Sequence, residues 1–212
     1  EVDDAGATAE IFVKFVEMLK DRNITTLKEM NRFGDMNVNA IRKLPTHHII
    51  ILVKNDIGRF NLYQLISASH LTYFARRPRI PKSLLNQHRE GLIIGSACEA
   101  GELYQAILNQ KSPQAVARLA EFYDYYEIQP LGNNQFMIDS DRYGDINSKE
   151  DLQNINREIV SLGEKFKKPV VATCDVHFLD PEDEVYRRII MAGKGFGDAD
   201  TQPPLYLRTT DE

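Results

Sequence analysis

The amino-acid sequence predicts an α/β fold whose sheet is mostly parallel, open or closed into a barrel. Three observations point there. From residue 46, short β-rich runs alternate with amphipathic stretches four times, the pattern of βαβ units. The 212 residues, 42% of them hydrophobic, suffice for one domain of that class with a substantial core. The segment from residue 5 to about residue 45 is instead helical and polar without a strand signal, so a module boundary is expected near residues 40–46.

Each element has its own signal. Ala7, Ile11, Phe15 and Leu19 recur at four-residue steps, one apolar stripe of an N-terminal helix. Thr26-Leu-Lys-Glu29 is a capping box, and residues 31–40 read as a linker. His47 to Lys54 is a β-branched strand, followed by a helix from near Asn61 with Leu62, Leu65, Ile66 and Ser69 on one side. Gly91 to Gly95 is a short buried strand, after which Ser96 and Glu99 form a capping box for a helix to about Leu108. Ser112-Pro113 opens a helix with Val116, Leu119 and Tyr123 inward, and Tyr126 to Leu131 is the next strand. Residues 132–148 are polar and irregular. Ser148 with Asp151 then caps a helix carrying Leu152, Ile155, Ile159, Leu162 and Phe166, ended by Lys167, Lys168 and Pro169. Pro169 to Thr173 is an apolar strand, and Asp180-Pro181 opens a last helix stopped by Gly193. The glycine-rich Gly193 to Gly197 reads as a mobile connection. The ends carry signals too: Thr209-Thr-Asp-Glu212 is a capping box with no helix after it, and the first helix begins within a few residues of position 1. The chain therefore reads as a window cut from a longer polypeptide, and a site found in it is expected to be partial.

Composition excludes several classes. The longest uninterrupted apolar run, Ile49 to Val53, is far below the roughly 18 residues of a membrane span. The start, Glu1-Val-Asp-Asp4, has neither the basic nor the apolar region of a secretory signal. Two cysteines make no disulfide framework, which points to a reducing, cytoplasmic setting. A net charge of -5 and a pI near 5.6 argue against a self-sufficient nucleic-acid binder. No Gly-x-Ser-x-Gly elbow and no Gly-x-x-x-x-Gly-Lys phosphate loop occurs.

The strongest chemical feature is Asp175-Val176-His177, directly after a strand, where ligands collect in parallel α/β sheets. Residues two apart on an extended chain project to one side, so this carboxylate and imidazole can address one divalent ion. The alternative is an Asp that orients a loop His. Cys98 is expected in the first turn of its helix, where the helix terminus lowers a thiol's pKa and favours the ligating thiolate. A small buried packing cysteine is the competing reading. Cys174 should point to the opposite face, into the core. His48 leads a strand and shares a face with Ile50 and Leu52, while His70 in a helix and His88 in a polar turn read as structural. Arg76, Arg77, Arg79 and Lys82, near Tyr73 and Phe74, form one basic cluster, either a contact for DNA or an acidic partner or a solvated loop.

With these residues in view, the chain resembles part of the alpha chain of bacterial DNA polymerase III of the PolC type. The runs that carry the resemblance begin with His48-Ile-Ile-Ile-Leu-Val-Lys-Asn55, Pro78-Arg-Ile-Pro81 and Glu90-Gly-Leu-Ile-Ile-Gly-Ser-Ala-Cys98-Glu-Ala-Gly101-Glu102. They continue through Glu127-Ile-Gln-Pro130, Lys168-Pro-Val-Val-Ala-Thr-Cys-Asp-Val-His-Phe178 and Arg208-Thr-Thr-Asp-Glu212. The resemblance implies a partial, distorted (β/α)7 barrel of the polymerase and histidinol phosphatase (PHP) type, with a multi-metal cleft. It implies Asp175, His177, Cys98 and His48 as metal ligands, with Zn or Mn in the PHP site. It also implies that residues 1–22 are the tail of an inserted 3′ to 5′ exonuclease, with Asp4 its last acidic residue and its partners absent here. Residues 23–45 would then be a connecting segment, 46–200 the C-terminal part of the PHP domain and 201–212 the connection to a polymerase core. The implied parent is a replicative polymerase using Mg, binding DNA, deoxynucleoside triphosphates and other replisome subunits, and no membrane. The remaining early ligands of both sites fall outside these residues, so the resemblance implies a fragment without activity of its own, or a scaffold that braces the polymerase. Setting the resemblance aside leaves a stand-alone metal-dependent phosphoesterase as a third reading.

Overall fold

The computed structural model describes residues 2–34, 38–138 and 140–211. The last residue of the Thr209 to Glu212 pattern, and residues 35–37 of the expected linker, lie outside that set. The chain divides into two compact units, residues 1–45 with 66–84, and residues 46–65 with 85–212.

The first unit is helical. Its α1 (Val2–Lys20) carries the expected apolar stripe, although Ile11 and Phe15 are exposed. Then follow α2 (Leu27–Gly34) and α3 (Val38–Ile41), so residues expected as linker are helical on both sides of 35–37. The capping box forms at α2. Glu29 N–H donates to Thr26 Oγ1 at 3.2 Å and the Glu29 carboxylate accepts from Thr25 and Thr26 N–H at 2.9 and 3.0 Å. Those donors hold its carboxyl below the usual range. The Arg42 guanidinium donates to Thr72 O at 2.7 Å, and Arg79 donates to the carbonyls of Leu44 and Ala75.

The second unit is mixed α/β. In it β1 (Ile50–Val53) pairs with β2 (Leu92–Gly95), and β3 (Tyr126–Ile128) pairs with β4 (Val170–Ala172). A bridge between Gly95 and Tyr125 joins the pairs, giving the order β1-β2-β3-β4. The expected mostly parallel sheet holds for β2, β3 and β4, and β1 is the exception. β3 and β4 are parallel, but β1 and β2 are antiparallel, with Ile50 opposite Gly95 and Val53 opposite Leu92. Two helices, α4 (Asp56–Leu71) and α5 (Lys82–Gln87), lie between β1 and β2 instead of the single crossover helix of a βαβ unit. Among the described residues the strands do not close into a barrel. The α4 helix also starts earlier than Asn61, because Asn55 Oδ1 accepts from Gly58 N–H at 3.0 Å and caps its first turn.

The core lies where α8 (Lys149–Phe166) packs on β3 and β4 and α6 (Glu102–Leu108) and α7 (Pro113–Phe122) pack on each other and on α8. Leu103, Ala120, Tyr126, Leu152 and Ile159 are all within 1% of full burial. Ser112 and Ser148 cap α7 and α8 as expected, accepting from Ala115 and Asp151 N–H at 3.3 Å each. Lys167 ends α8 in the left-handed conformation. Lys168 donates to the carbonyls of Ala120 and Glu121, at 2.9 and 2.8 Å, and of Tyr123, which satisfies the end of α7. After β4, a turn at Pro181–Asp183 leads into α9 (Glu184–Gly193), whose Tyr186, Ile189 and Ile190 are exposed.

Candidate metal centre

The parallel arrangement of β2, β3 and β4 brings their carboxyl ends together, and the antiparallel β1 adds its starting end to the same side. His48, just before β1, bridges Gly101, with its N–H on Ala100 O at 3.0 Å. Its Nδ1 lies 3.4 Å from Cys98 Sγ. His48 therefore reaches the expected site through the one strand that runs against the parallel three.

Cys98 does not sit on a helix. The α6 helix begins at Glu102 with Gly101 as its N-cap, and Cys98 lies in the preceding turn, closed by Gly101 N–H on Cys98 O at 2.8 Å. The expected capping box fails because Ser96 Oγ accepts from Glu127 N–H at 3.0 Å, across the sheet. The expected thiol activation is reversed as well. Burial pushes the Cys98 thiol up to about 12, and the Glu99 and Asp175 carboxylates add to the rise against a lowering contact from the Ala100 backbone. This turn is tight: a Cβ on Gly101 would stand 2.1 Å from Ser96 O.

Asp175 is held at φ 50°, in the left-handed region, so the extended alternation assumed for Asp175-Val-His177 does not apply. The carboxylate of Asp175, the carboxylate of Glu99 and the Cys98 thiol all lie within 4.8 Å of one another. Two ligands of one zinc ion at about 2.3 Å can stand at most about 4.6 Å apart, so this group can close on a cation with small adjustment. Its mixed sulfur and oxygen donors, with the His48 imidazole adjacent, suit zinc or manganese. His177 is not in the group. Its Nδ1 donates to Asp175 O at 2.8 Å, which orients the ring against its own chain. Glu99, read from sequence as a helix-capping residue, is the donor that sequence reasoning missed.

The group opens onto a cleft of about 600 Å³ whose lining includes His48, Cys98, Asp175 and, from β3 and the residues flanking it, Tyr125, Glu127 and Gln129. These last three alternate along the strand and therefore share one face. Glu127 and Gln129 are only 7% and 8% exposed. Thr173 Oγ1 donates to the Glu127 carboxylate at 3.0 Å, and Gln129 Oε1 is buried without a hydrogen-bond partner. Burial pushes the Tyr125 phenol up to about 12, with Glu127 contributing. The ring lies across β2 because residue 95 is glycine; a Cβ there would stand 2.3 Å from Tyr125 Cζ. The signal that could have found this wall was in plain view: a short strand that alternates Tyr, Glu and Gln with Tyr and Ile. Cys174, expected in the core, instead lines the cleft, its carbonyl accepting from Asn133 Nδ2 at 2.8 Å. The loop between β4 and the last helix is too short of regular structure to carry strand alternation through residue 174.

The other candidate residues belong to the first unit. Asp4 is exposed on α1, where its carbonyl accepts from Thr8 Oγ1 at 2.7 Å. Of the basic cluster, Arg76, Arg77 and Lys82 are exposed, while Arg79 is half-buried on backbone carbonyls. Among the described residues no helix is long and apolar enough to cross a membrane.

Comparison with known proteins identifies the family. The family model for the PHP domain matches residues 8–139. A DNA polymerase III PolC-type from Clostridium perfringens is 57% identical over 212 residues, all of this chain and 14% of that relative. A DNA polymerase III PolC-type from Caldanaerobacter subterraneus is 54% identical over 211 residues, 15% of its length, and one from Thermotoga maritima is 42% identical over 212 residues, also 15%. The chain thus spans about a seventh of the length of the curated relatives it matches. The family match ends before β4, whereas these relatives align through Asp175 and His177 as well.

Proposed function

Because the chain belongs to the PHP domain family, we propose that it is the metal-binding PHP part of a replicative DNA polymerase like its PolC-type relatives. The observation that carries this reading is the convergence of Cys98, Glu99 and Asp175 at the strand ends of such a chain. In this reading the cleft holds a divalent ion, zinc or manganese. Asp175, Glu99 and Cys98 ligate it, and His48 stands beside Cys98 as a further donor. A divalent ion in such a setting polarises phosphoryl oxygens and lowers the pKa of a bound water. The chain's own residues hold the ion and orient His177 through its bond to Asp175 O.

The finer assignments belong to the same proposal. Further strands complete the sheet beyond β1 into a distorted (β/α)7 barrel, and the early PHP ligands come with them. Residues 1–22 are the exonuclease tail with Asp4 its acidic ligand, 23–45 connect, 46–200 are PHP and 201–212 lead to the polymerase core. The parent synthesises DNA from deoxynucleoside triphosphates with Mg, proofreads 3′ ends, meets other replisome subunits and works in the cytoplasm, and Arg76, Arg77, Arg79 and Lys82 are its contact to DNA or a partner. By itself the chain holds too few donors for phosphoester chemistry and is inactive.

A second reading, a non-catalytic scaffold bracing the parent polymerase, is favoured by the exposed apolar side of α9, with Tyr186 at 64% and Ile189 at 63%. Elemental analysis tests the metal-binding reading. The chain purified with manganese or zinc should carry stoichiometric metal, Asp175→Ala should lose it, and neither should extend a primer or trim a 3′ end. Equal metal in both, or primer extension by the chain, would sink the proposal.

A further inference from the structure

The residue best placed to govern the metal group is one that does not belong to it. Glu127 lies in the middle of β3, between the two segments that supply the donors. Its N–H donates to Ser96 Oγ at 3.0 Å, two residues before Cys98. Its carboxylate accepts from Thr173 Oγ1 at 3.0 Å, two residues before Asp175. One residue is thus bonded to both donor segments, from a site 93% buried.

Three physical facts make this arrangement hard to read as packing. A strand flanked by neighbours on both sides ordinarily carries Val, Ile or Leu at its buried positions, and a buried carboxylate costs far more than any of them unless it is bonded. Both donor segments pass through left-handed backbone at non-glycine residues, Ala97 at φ 61° and Asp175 at φ 50°. Such conformations cost on the order of 1–3 kcal/mol and persist only where neighbouring contacts hold them. The main-chain bond of Glu127 falls on the residue before Ala97, and its carboxylate bond falls two residues before Asp175.

We propose that Glu127, acting through Thr173 and Ser96, is a positioning residue that holds the Cys98 turn and the Asp175 loop at the spacing a divalent ion needs. This rests on the metal-binding reading above and adds to it the residue that sets the affinity. Outer partners of metal ligands typically change affinity by roughly 10- to 100-fold when removed.

The test is calorimetric titration of the 212-residue chain with Mn²⁺ alone and with Zn²⁺ alone, and needs no activity. Glu127→Ala should weaken binding by roughly 10- to 100-fold. Thr173→Val, nearly the same shape and without the hydroxyl, should weaken it by about tenfold. The double variant should be no weaker than Glu127→Ala alone, because both remove one bond. Glu127→Gln keeps an acceptor for Thr173 and should restore most of the affinity. Circular dichroism and the melting temperature of each metal-free variant confirm that it folds, and Thr173→Val carries the test if Glu127→Ala does not. Binding by Glu127→Ala within twofold of the unsubstituted chain overturns the proposal. So does a full loss in Glu127→Gln with none in Thr173→Val, which would make Glu127 a direct ligand. If the unsubstituted chain binds neither ion, the metal-binding reading fails and this one fails with it. If it binds and Asp175→Ala abolishes binding while both Glu127→Ala and Thr173→Val do not matter, only the positioning role fails.

Discussion

Two strands of the same sheet reverse the usual rule of what belongs inside. β1 is wholly apolar, Ile-Ile-Leu-Val, yet Leu52 and Val53 are 47% and 43% exposed. β3 and its flanking residues turn Tyr125, Glu127 and Gln129 to the cleft, and the last two are more than nine-tenths buried. The difference lies in partners. β3 sits between β2 and β4, and Glu127 finds Ser96 and Thr173 at their ends. β1 has β2 on one edge and no strand on the other among the described residues. An exposed apolar residue says little by itself, whereas a buried, bonded carboxylate calls for a reason.

The comparison breaks most readily at the turn that carries Cys98. Gly101→Ala places a Cβ 2.1 Å from a backbone oxygen that cannot swing away, and should cost about 3 kcal/mol in urea unfolding. A cost under about 0.5 kcal/mol would show that the turn yields and that the cleft wall is no stiffer than β1. A smaller effect should come from alkali. Two groups whose pKa rises to about 12 by burial, Cys98 and Tyr125, line the cleft, a third, Tyr126, is buried on the other face of β3, and none lies on β1. A raised folded-state pKa contributes stability that is complete below the ordinary value, 9.0 for the thiol and 10.0 for the phenols, and is lost as pH climbs toward about 12. The urea midpoint of the metal-free chain should therefore fall above pH 9.0, and fall less steeply in Cys98→Ala. A flat midpoint to pH 11 would contradict it. The smallest effect is expected on the apolar strand, where Leu52→Ser should change stability by no more than about 0.5 kcal/mol. A loss well above about 1 kcal/mol in the same urea measurement would mean that β1 is covered after all, and would erase the contrast.

What was legible in the sequence follows a simple line. The caps at Thr26, Ser112 and Ser148 formed as read, because each is a bond between residues three apart and needs no knowledge of the rest of the chain. The cap at Ser96 has the same local pattern and failed, since Glu127, 31 residues away, takes its hydroxyl. Cys98 and Asp175 were singled out by their place after strands and do come together, while Asp175 and His177, paired in the sequence by extended alternation, stand 4.0 Å apart, Nδ1 to Oδ1, through a left-handed Asp175 instead. The match to PolC-type relatives was carried by local runs and survives every one of these changes.

By itself, then, the amino-acid order determined the family, the mixed α/β class, most of the helices and two of the three converging donors, Cys98 and Asp175, because motif identity, helix periodicity and end caps are properties of a few adjacent residues. Only the tertiary structure decided that β1 runs antiparallel, that His48 thereby reaches Cys98, that Glu99 replaces His177 among the converging donors and that Glu127 ties their two segments together. Those are choices of strand direction and of hydrogen-bond partner across 30 or more residues, as between Ser96 and Glu127 or Cys98 and His48. They are settled by which groups the packed sheet leaves unsatisfied, and no short window of sequence contains that competition.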